Sequence, residues 1–98
     1  MSYSLSFHPK VDEDLKEFSH TQKRLIFKQL QKIEKSPELG QLLGNKSGYD
    51  LSGCRKMYAD NKQIRIVYKI VEEQIIIEVV ALGKRDEMEV YKKASQRV

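Results

Sequence analysis

The side chains able to hold an anion gather in the second half of the chain. Arg55, Lys56 and Tyr58 lie within four positions, Arg65 follows, and Lys84, Arg85 and Tyr91 come close together further on. Guanidinium and ammonium groups bind phosphate through charge-assisted hydrogen bonds. Residues two apart on a strand share a face, so Lys56 aligns with Tyr58, and Arg65 with Val67 and Lys69. On an uncovered sheet face these would line a shallow groove for an anionic ligand. The run Gly83-Lys84-Arg85-Asp86 puts Arg85 where a strand gives way to a helix N-terminus, whose free N–H groups favour phosphate. Tyr91 follows within two turns and can reach back toward the sheet. Two readings stay open here: a ligand groove, or the solvated basic face that surface charge usually forms. Tyr91 equally suits core packing with its hydroxyl at the surface.

Other chemistries fail on inventory. His8 and His20 lie far in sequence from the basic half and suit surface or capping positions better than a hydrolase triad. Cys54 is the single cysteine, which rules out an internal disulfide and a thiolate zinc site. Arg55 and Lys56 beside it would lower its pKa, but a half-buried cysteine at a strand start is the expected reading. No phosphate-binding loop, dinucleotide fingerprint or metal motif is present, so neither a cofactor nor a metal is expected. Glu72 and Glu73 read as solvated residues of a hairpin tip.

Ninety-eight residues fit one domain, spanning 1–98, with an economical core and no deep cavity. Eighteen basic and fourteen acidic side chains give a net charge of +4, which favours a polyanionic partner without identifying one. Eight basic residues face seven acidic ones in positions 1–50, and ten face seven in positions 51–98, so an anion site belongs in the second half. No uncharged apolar run approaches the roughly 20 residues of a membrane span, and the N-terminus lacks the apolar stretch of a signal peptide. A soluble, cytoplasmic protein without a membrane partner is the expectation.

Several elements must position the basic set. Tyr3 to Phe7 alternates as a strand burying Tyr3, Leu5 and Phe7. Pro9 opens a helix whose stripe is Val11, Leu15 and Phe18. Ser19 with Gln22 forms a capping box for a second helix, with Ile26, Leu30 and Ile33 inward, ended by Ser36 and Pro37. The stretch from Gly40 to Gly53 reads as a loop anchored by leucines. Arg55 to Ala59, Ile64 to Val71 and Gln74 to Leu82 read as antiparallel strands, the last two forming a hairpin around Glu72 and Glu73. Asp86 and Glu89 cap a last helix, with Met88, Tyr91, Ala94 and Val98 on its less polar side. The fold class is α+β, order βααβββα: an antiparallel sheet with its two N-terminal helices on one face and the other face open.

The segments Gly53-Cys54-Arg55-Lys56-Met57-Tyr58, Ile64-Arg65-Ile66-Val67-Tyr68-Lys69-Ile70 and Ala81-Leu82-Gly83-Lys84-Arg85-Asp86-Glu87-Met88-Glu89-Val90-Tyr91 resemble the RelE branch of the RelE/ParE toxin superfamily. The likeness is close over the last half and coarse over the rest. It implies a type II toxin that enters the ribosomal A site and cuts messenger RNA by attack of a ribose 2′-OH on the adjacent phosphate, with Lys56, Arg65, Arg85 and Tyr91 as catalytic positions. In that scheme Tyr91 is the base, Lys56 and Arg65 stabilise charge, and Arg85 clamps the phosphate or donates a proton. Arg55, Tyr58, Lys62 and Lys84 are then RNA-binding neighbours. The implied partners are a cognate antitoxin, in a toxin–antitoxin hetero-oligomer, and the ribosome with its mRNA and 16S rRNA. The sequence departs from the family at Tyr58, where a second lysine or arginine is frequent; either Arg55 or Lys62 then supplies that charge or the rate is lower. The alternatives are a ParE-like toxin acting on DNA gyrase and a non-catalytic RNA- or protein-binding module of the same fold.

Overall fold

In the computed structural model, which describes residues 3–46, 48–85 and 89–98, the chain runs β1 (Ser4–Phe7), α1 (Val11–Leu15), α2 (His20–Lys35), β2 (Gln41–Leu42), β3 (Asn45–Lys46), β4 (Tyr49–Asp50), β5 (Cys54–Ala59), β6 (Ile64–Val71), β7 (Ile76–Lys84) and α3 (Glu89–Arg97). Five strands form one sheet in the order β1-β7-β6-β5-β2, and β3 pairs with β4 as a separate hairpin. β1 lies parallel to β7, whereas β7, β6, β5 and β2 are antiparallel in turn. The α+β class and the order of its long elements match the reading of the sequence. The short strands β2, β3 and β4 inside the supposed loop do not, because two-residue strands leave no periodicity to detect.

Alternation on the strands divides the core in two. Ile64, Ile66 and Tyr68 of β6, with Ile77, Val79 and Leu82 of β7, meet Val11, Phe18, Ile26, Leu30 and Ile33 on the α1–α2 side. Burying each large side chain fully is worth about 1.5–3 kcal/mol. The α2 capping box forms as expected: Gln22 N donates to Ser19 Oγ at 3.2 Å, and Ser19 N to Gln22 Oε1 at 3.0 Å. α1 is shorter than its stripe suggested. It ends at Leu15, and Phe18 enters the core from the turn that follows.

The opposite face is not open. Leu43, Leu51, Cys54, Val67, Val80, Ala81, Val90, Tyr91 and Ala94 form a second apolar cluster there, built by α3 and the segment around β3 and β4. A β-bulge makes this possible: Val67 pairs with Ala81 but Tyr68 with Val79, so Val80 is the extra residue and both Val80 and Ala81 join the α3 cluster. Cys54 is buried rather than half-buried, and desolvation pushes its thiol pKa up against the weaker pull of Lys69, the reverse of an activated cysteine. On α3 the inward residues are Val90, Tyr91 and Ala94, while Val98 stays exposed. The expected cap at Asp86 and the apolar Met88 lie outside the described residues.

Two features fix how α3 sits. Gly83 has no side chain where one would collide with the helix: a Cβ there would stand 2.7 Å from Val90 Cβ. β1 ends at Phe7 opposite Val79, so the edge of β7 beyond that point needs other partners for its backbone. Asp14 Oδ2 accepts from Leu82 N at 3.0 Å, and Arg97 Nη1 donates to Val80 O at 3.0 Å.

Candidate active site

Register brings the basic residues together across three strands. Tyr58 on β5 pairs with Arg65 on β6, and Arg65 with Gly83 on β7. Directly opposed residues share a face, so Tyr58 and Arg65 stand side by side, with Lys56 two residues away on the same face as Tyr58. Lys56 Nζ donates to Tyr58 Oη at 3.0 Å and lies 5.1 Å from the centre of its ring. Arg85 follows the end of β7, tied by its backbone N–H to Gln63 O at 2.8 Å. From there its guanidinium carbon stands 5.8 Å from the Tyr58 ring centre. Three cations thus surround one partly exposed phenol at the rim of the α3-covered face, beyond the part that α3 occupies.

This setting acts on the phenol. The hydrogen bond from Lys56 is the largest influence; partial desolvation opposes it, and a hydrogen bond from Arg65 with the charges of both residues adds to it, bringing the Tyr58 pKa down to about 8. A cation that donates to the phenolate favours the charged form of the ring oxygen.

Tyr91 takes a different place from the one expected of a base. Its side chain is 0% exposed, its hydroxyl has no hydrogen-bond partner among the described residues, and its ring lies under Arg65, whose guanidinium carbon is 5.0 Å from the ring centre. As α3 is packed, the ring supports Arg65 through a cation–π contact, and the hydroxyl does not open onto the cationic rim.

Two expected neighbours are turned away. Arg55 is on the opposite face from Lys56 and donates from Nη1 to Gly40 O at 2.8 Å and Glu38 O at 3.2 Å, holding the turn after α2 in place. Lys84 pairs with Ile64 and shares its α1–α2 side. Lys62 is exposed at the β5–β6 turn, where Asp60, Asn61 and Lys62 all have positive φ. The cations that share the face of Lys56 around Tyr58 are Arg65 and Arg85, while Arg55 lies on the other face. Among the described residues no group of three or more His, Cys, Asp or Glu is placed to hold a metal ion.

Residues 5–89 match the family described as ParE toxin of type II toxin-antitoxin system, parDE. The chain belongs to this toxin family. The toxin is 27% identical to the mRNA interferase toxin RelE of Escherichia coli, covering 100% of this chain and 99% of that relative. It is 33% identical to a putative RelE-like toxin protein of Escherichia coli over the same shares. Among solved structures, a free arginine-substituted mutant of Escherichia coli RelE superposes with a TM-score of 0.80 at 26% identity, over 100% of this chain and 99% of the other. The same mutant bound to a peptide of its antitoxin, RelBc, gives 0.73 at 25% identity over 100% and 99%. Most of α3, with Tyr91, lies past the end of the family match, whereas the full-length relatives extend over it.

Proposed function

We propose that this toxin is a ribosome-dependent endoribonuclease that cuts mRNA in the A site and is neutralised by a cognate antitoxin. The observation that carries the reading is the triad of cations, Lys56, Arg65 and Arg85, converging on Tyr58. Attack of a 2′-OH on the neighbouring phosphate builds negative charge on the phosphoryl oxygens, and preorganised cations stabilise that charge best. Lys56 and Arg65 are the charge stabilisers and Arg85 the phosphate clamp; Tyr91 positions Arg65 from beneath. Lys62, exposed beside the rim, is an RNA contact, and Arg55 serves the scaffold. The full-length likeness to proteins named mRNA interferase RelE supports the same chemistry.

A shallow rim that among the described residues has no acid–base pair of carboxylate and imidazole relies on an outside surface to align the 2′-OH with the phosphorus, which is the part assigned to the ribosome and its 16S rRNA. A cytoplasmic location follows from that target. The antitoxin-bound RelE structure supports a peptide partner of the same kind. The family description names parDE toxins, so the test separates the two. Induced expression should arrest growth and produce mRNA ends at A-site codons, reproduced with purified toxin on programmed ribosomes and almost absent on free oligoribonucleotide. DNA damage with intact mRNA would favour the gyrase-directed reading instead.

A further inference from the structure

We infer that Tyr58, as the phenolate held by Lys56 and Arg65, is the proton acceptor for the attacking 2′-OH. This rests on the endoribonuclease reading and assigns its missing base. The geometry singles out the residue in three ways. Tyr58 Oη is a proton-accepting group on the cationic rim that is both partly exposed and already hydrogen-bonded to a cation, Lys56 at 3.0 Å. It pairs across the sheet with Arg65, which adds a second hydrogen bond. Arg85 reaches over its ring, so a phosphate clamped by Arg85 is delivered next to the phenol oxygen.

Among the described residues, the charged groups around this phenol are Lys56 on its own strand, Arg65 on β6 and Arg85 after β7, with the Tyr91 ring of α3 beneath Arg65. Asp60, in the turn just past β5, has its carboxylate engaged by Gln22 Nε2 at 3.3 Å. With its pKa near 8, roughly a tenth of Tyr58 is phenolate at pH 7, against about a thousandth for an ordinary tyrosine. A base whose pKa lies near the working pH combines availability with driving force.

The step balances without a cofactor. The 2′-OH proton passes to Tyr58 Oη as the 2′-oxygen bonds to phosphorus, the P–O5′ bond breaks, and the 5′-oxygen leaves with a proton from solvent water. The products are a 2′,3′-cyclic phosphate and a 5′-hydroxyl, and Tyr58 returns its proton to water. A tyrosine standing where the family often has a second lysine or arginine then takes the role of base that the resemblance gives to Tyr91.

The experiment measures single-turnover cleavage of ribosome-bound mRNA from pH 6 to 9, with ribosome affinity measured in parallel, for wild type and Tyr58→Phe. Wild type should rise with unit slope and level off near pH 8. Tyr58→Phe should bind ribosomes as well as wild type, cut about 10²-fold or more slowly, and lose that plateau. In the free toxin, the ¹³C-tyrosine resonance of Tyr58 should titrate near pH 8 and move to higher pH in Lys56→Ala. A Tyr58→Phe protein that cuts at the wild-type rate, or slowly but with the same plateau, overturns the inference and leaves the endoribonuclease reading standing. Failure of folded wild type to cut ribosome-bound mRNA at any pH overturns both.

Discussion

Arg97, in the last turn of α3, grips the buried carboxylate of Asp14 in α1 with two hydrogen bonds, Nη1 to Oδ2 at 2.7 Å and Nη2 to Oδ1 at 3.1 Å. Lys93 adds a third contact at 3.3 Å, and the Leu82 N–H a fourth. Asp14 is 2% exposed, so the cost of burying a carboxylate is offset by four donors. The pair fastens α3 across the end of β7, and α3 in turn supplies the ring beneath Arg65. A carboxylate on the opposite side of the sheet edge thus helps fix a cation of the active rim.

Removing that carboxylate should be costly. Asp14→Ala leaves the Leu82 N–H without its acceptor and Arg97 with Val80 O alone, and breaking a buried pair in this way costs about 3–5 kcal/mol. Denaturant unfolding should show a loss of that order. A change within about 0.5 kcal/mol, the range typical of surface substitutions, would mean that α3 is held by its apolar face alone.

The same site gives an acid dependence. Burial raises the Asp14 pKa, but the Arg97 hydrogen bond, the Leu82 N–H and the charges of Arg97 and Lys93 together outweigh it and hold the value below the ordinary 3.8. A folded-state pKa below the unfolded one gives stability that is fully present above the unfolded value and is lost as pH falls through the folded value. Unfolding measured on acidification should therefore lose this contribution only below about pH 4, and Asp14→Asn should flatten that part of the profile. An unchanged slope in Asp14→Asn would assign the acid sensitivity to other carboxylates.

Gly83→Ala should disturb the site through α3. The added Cβ falls 2.7 Å from Val90 Cβ, closer than real Cβ contacts, so the helix must shift outward. Overpacking of this kind costs about 1–3 kcal/mol. Because Val90 precedes Tyr91, the shift should also loosen the support under Arg65 and slow cleavage in a protein that still folds. Unfolding curves together with cleavage rates test both effects; a variant unaffected in each would show that α3 has slack at this contact.

Tyr91→Phe should leave cleavage at the wild-type rate and leave stability unchanged or slightly raised. The ring remains under Arg65, and the hydroxyl removed is a buried group without a partner among the described residues, so its loss relieves a desolvation penalty. Tyr91→Ala should instead slow cleavage by releasing Arg65. Slow cleavage by a well-folded Tyr91→Phe protein would return the hydroxyl to the reaction and require α3 to move on the ribosome.

Arg85→Ala should abolish toxicity and keep the fold. Its side chain is exposed and contributes little to packing, while loss of one transition-state contact typically costs about 10²- to 10³-fold in rate. The check is growth on induction alongside thermal unfolding of the purified variant. A toxic Arg85→Ala protein with undiminished mRNA cleavage would remove Arg85 from the site.

Local signals were enough to define several elements and the residue types available for chemistry. The run Ile64 to Val71, rich in β-branched residues, matches β6 to the residue, because strand composition is read from neighbours in the chain. Ser19 and Gln22 announced the start of α2 for the same reason, since a capping box closes within four residues. Lys56, Arg65 and Arg85 were legible as a basic set, and the strand parity that joins Lys56 to Tyr58 follows from spacing alone. Which phenol faces the cations depends on how the chain packs. Register sets Tyr58 opposite Arg65, and the Val80 bulge with the bare Gly83 lets α3 close over Tyr91. The Asp14–Arg97 pair was equally hidden, because nothing local marks two residues 83 positions apart as partners. Base and buried prop are the same residue type in the sequence; burial and the hydrogen bond from Lys56 tell them apart, and both are properties of the packed chain.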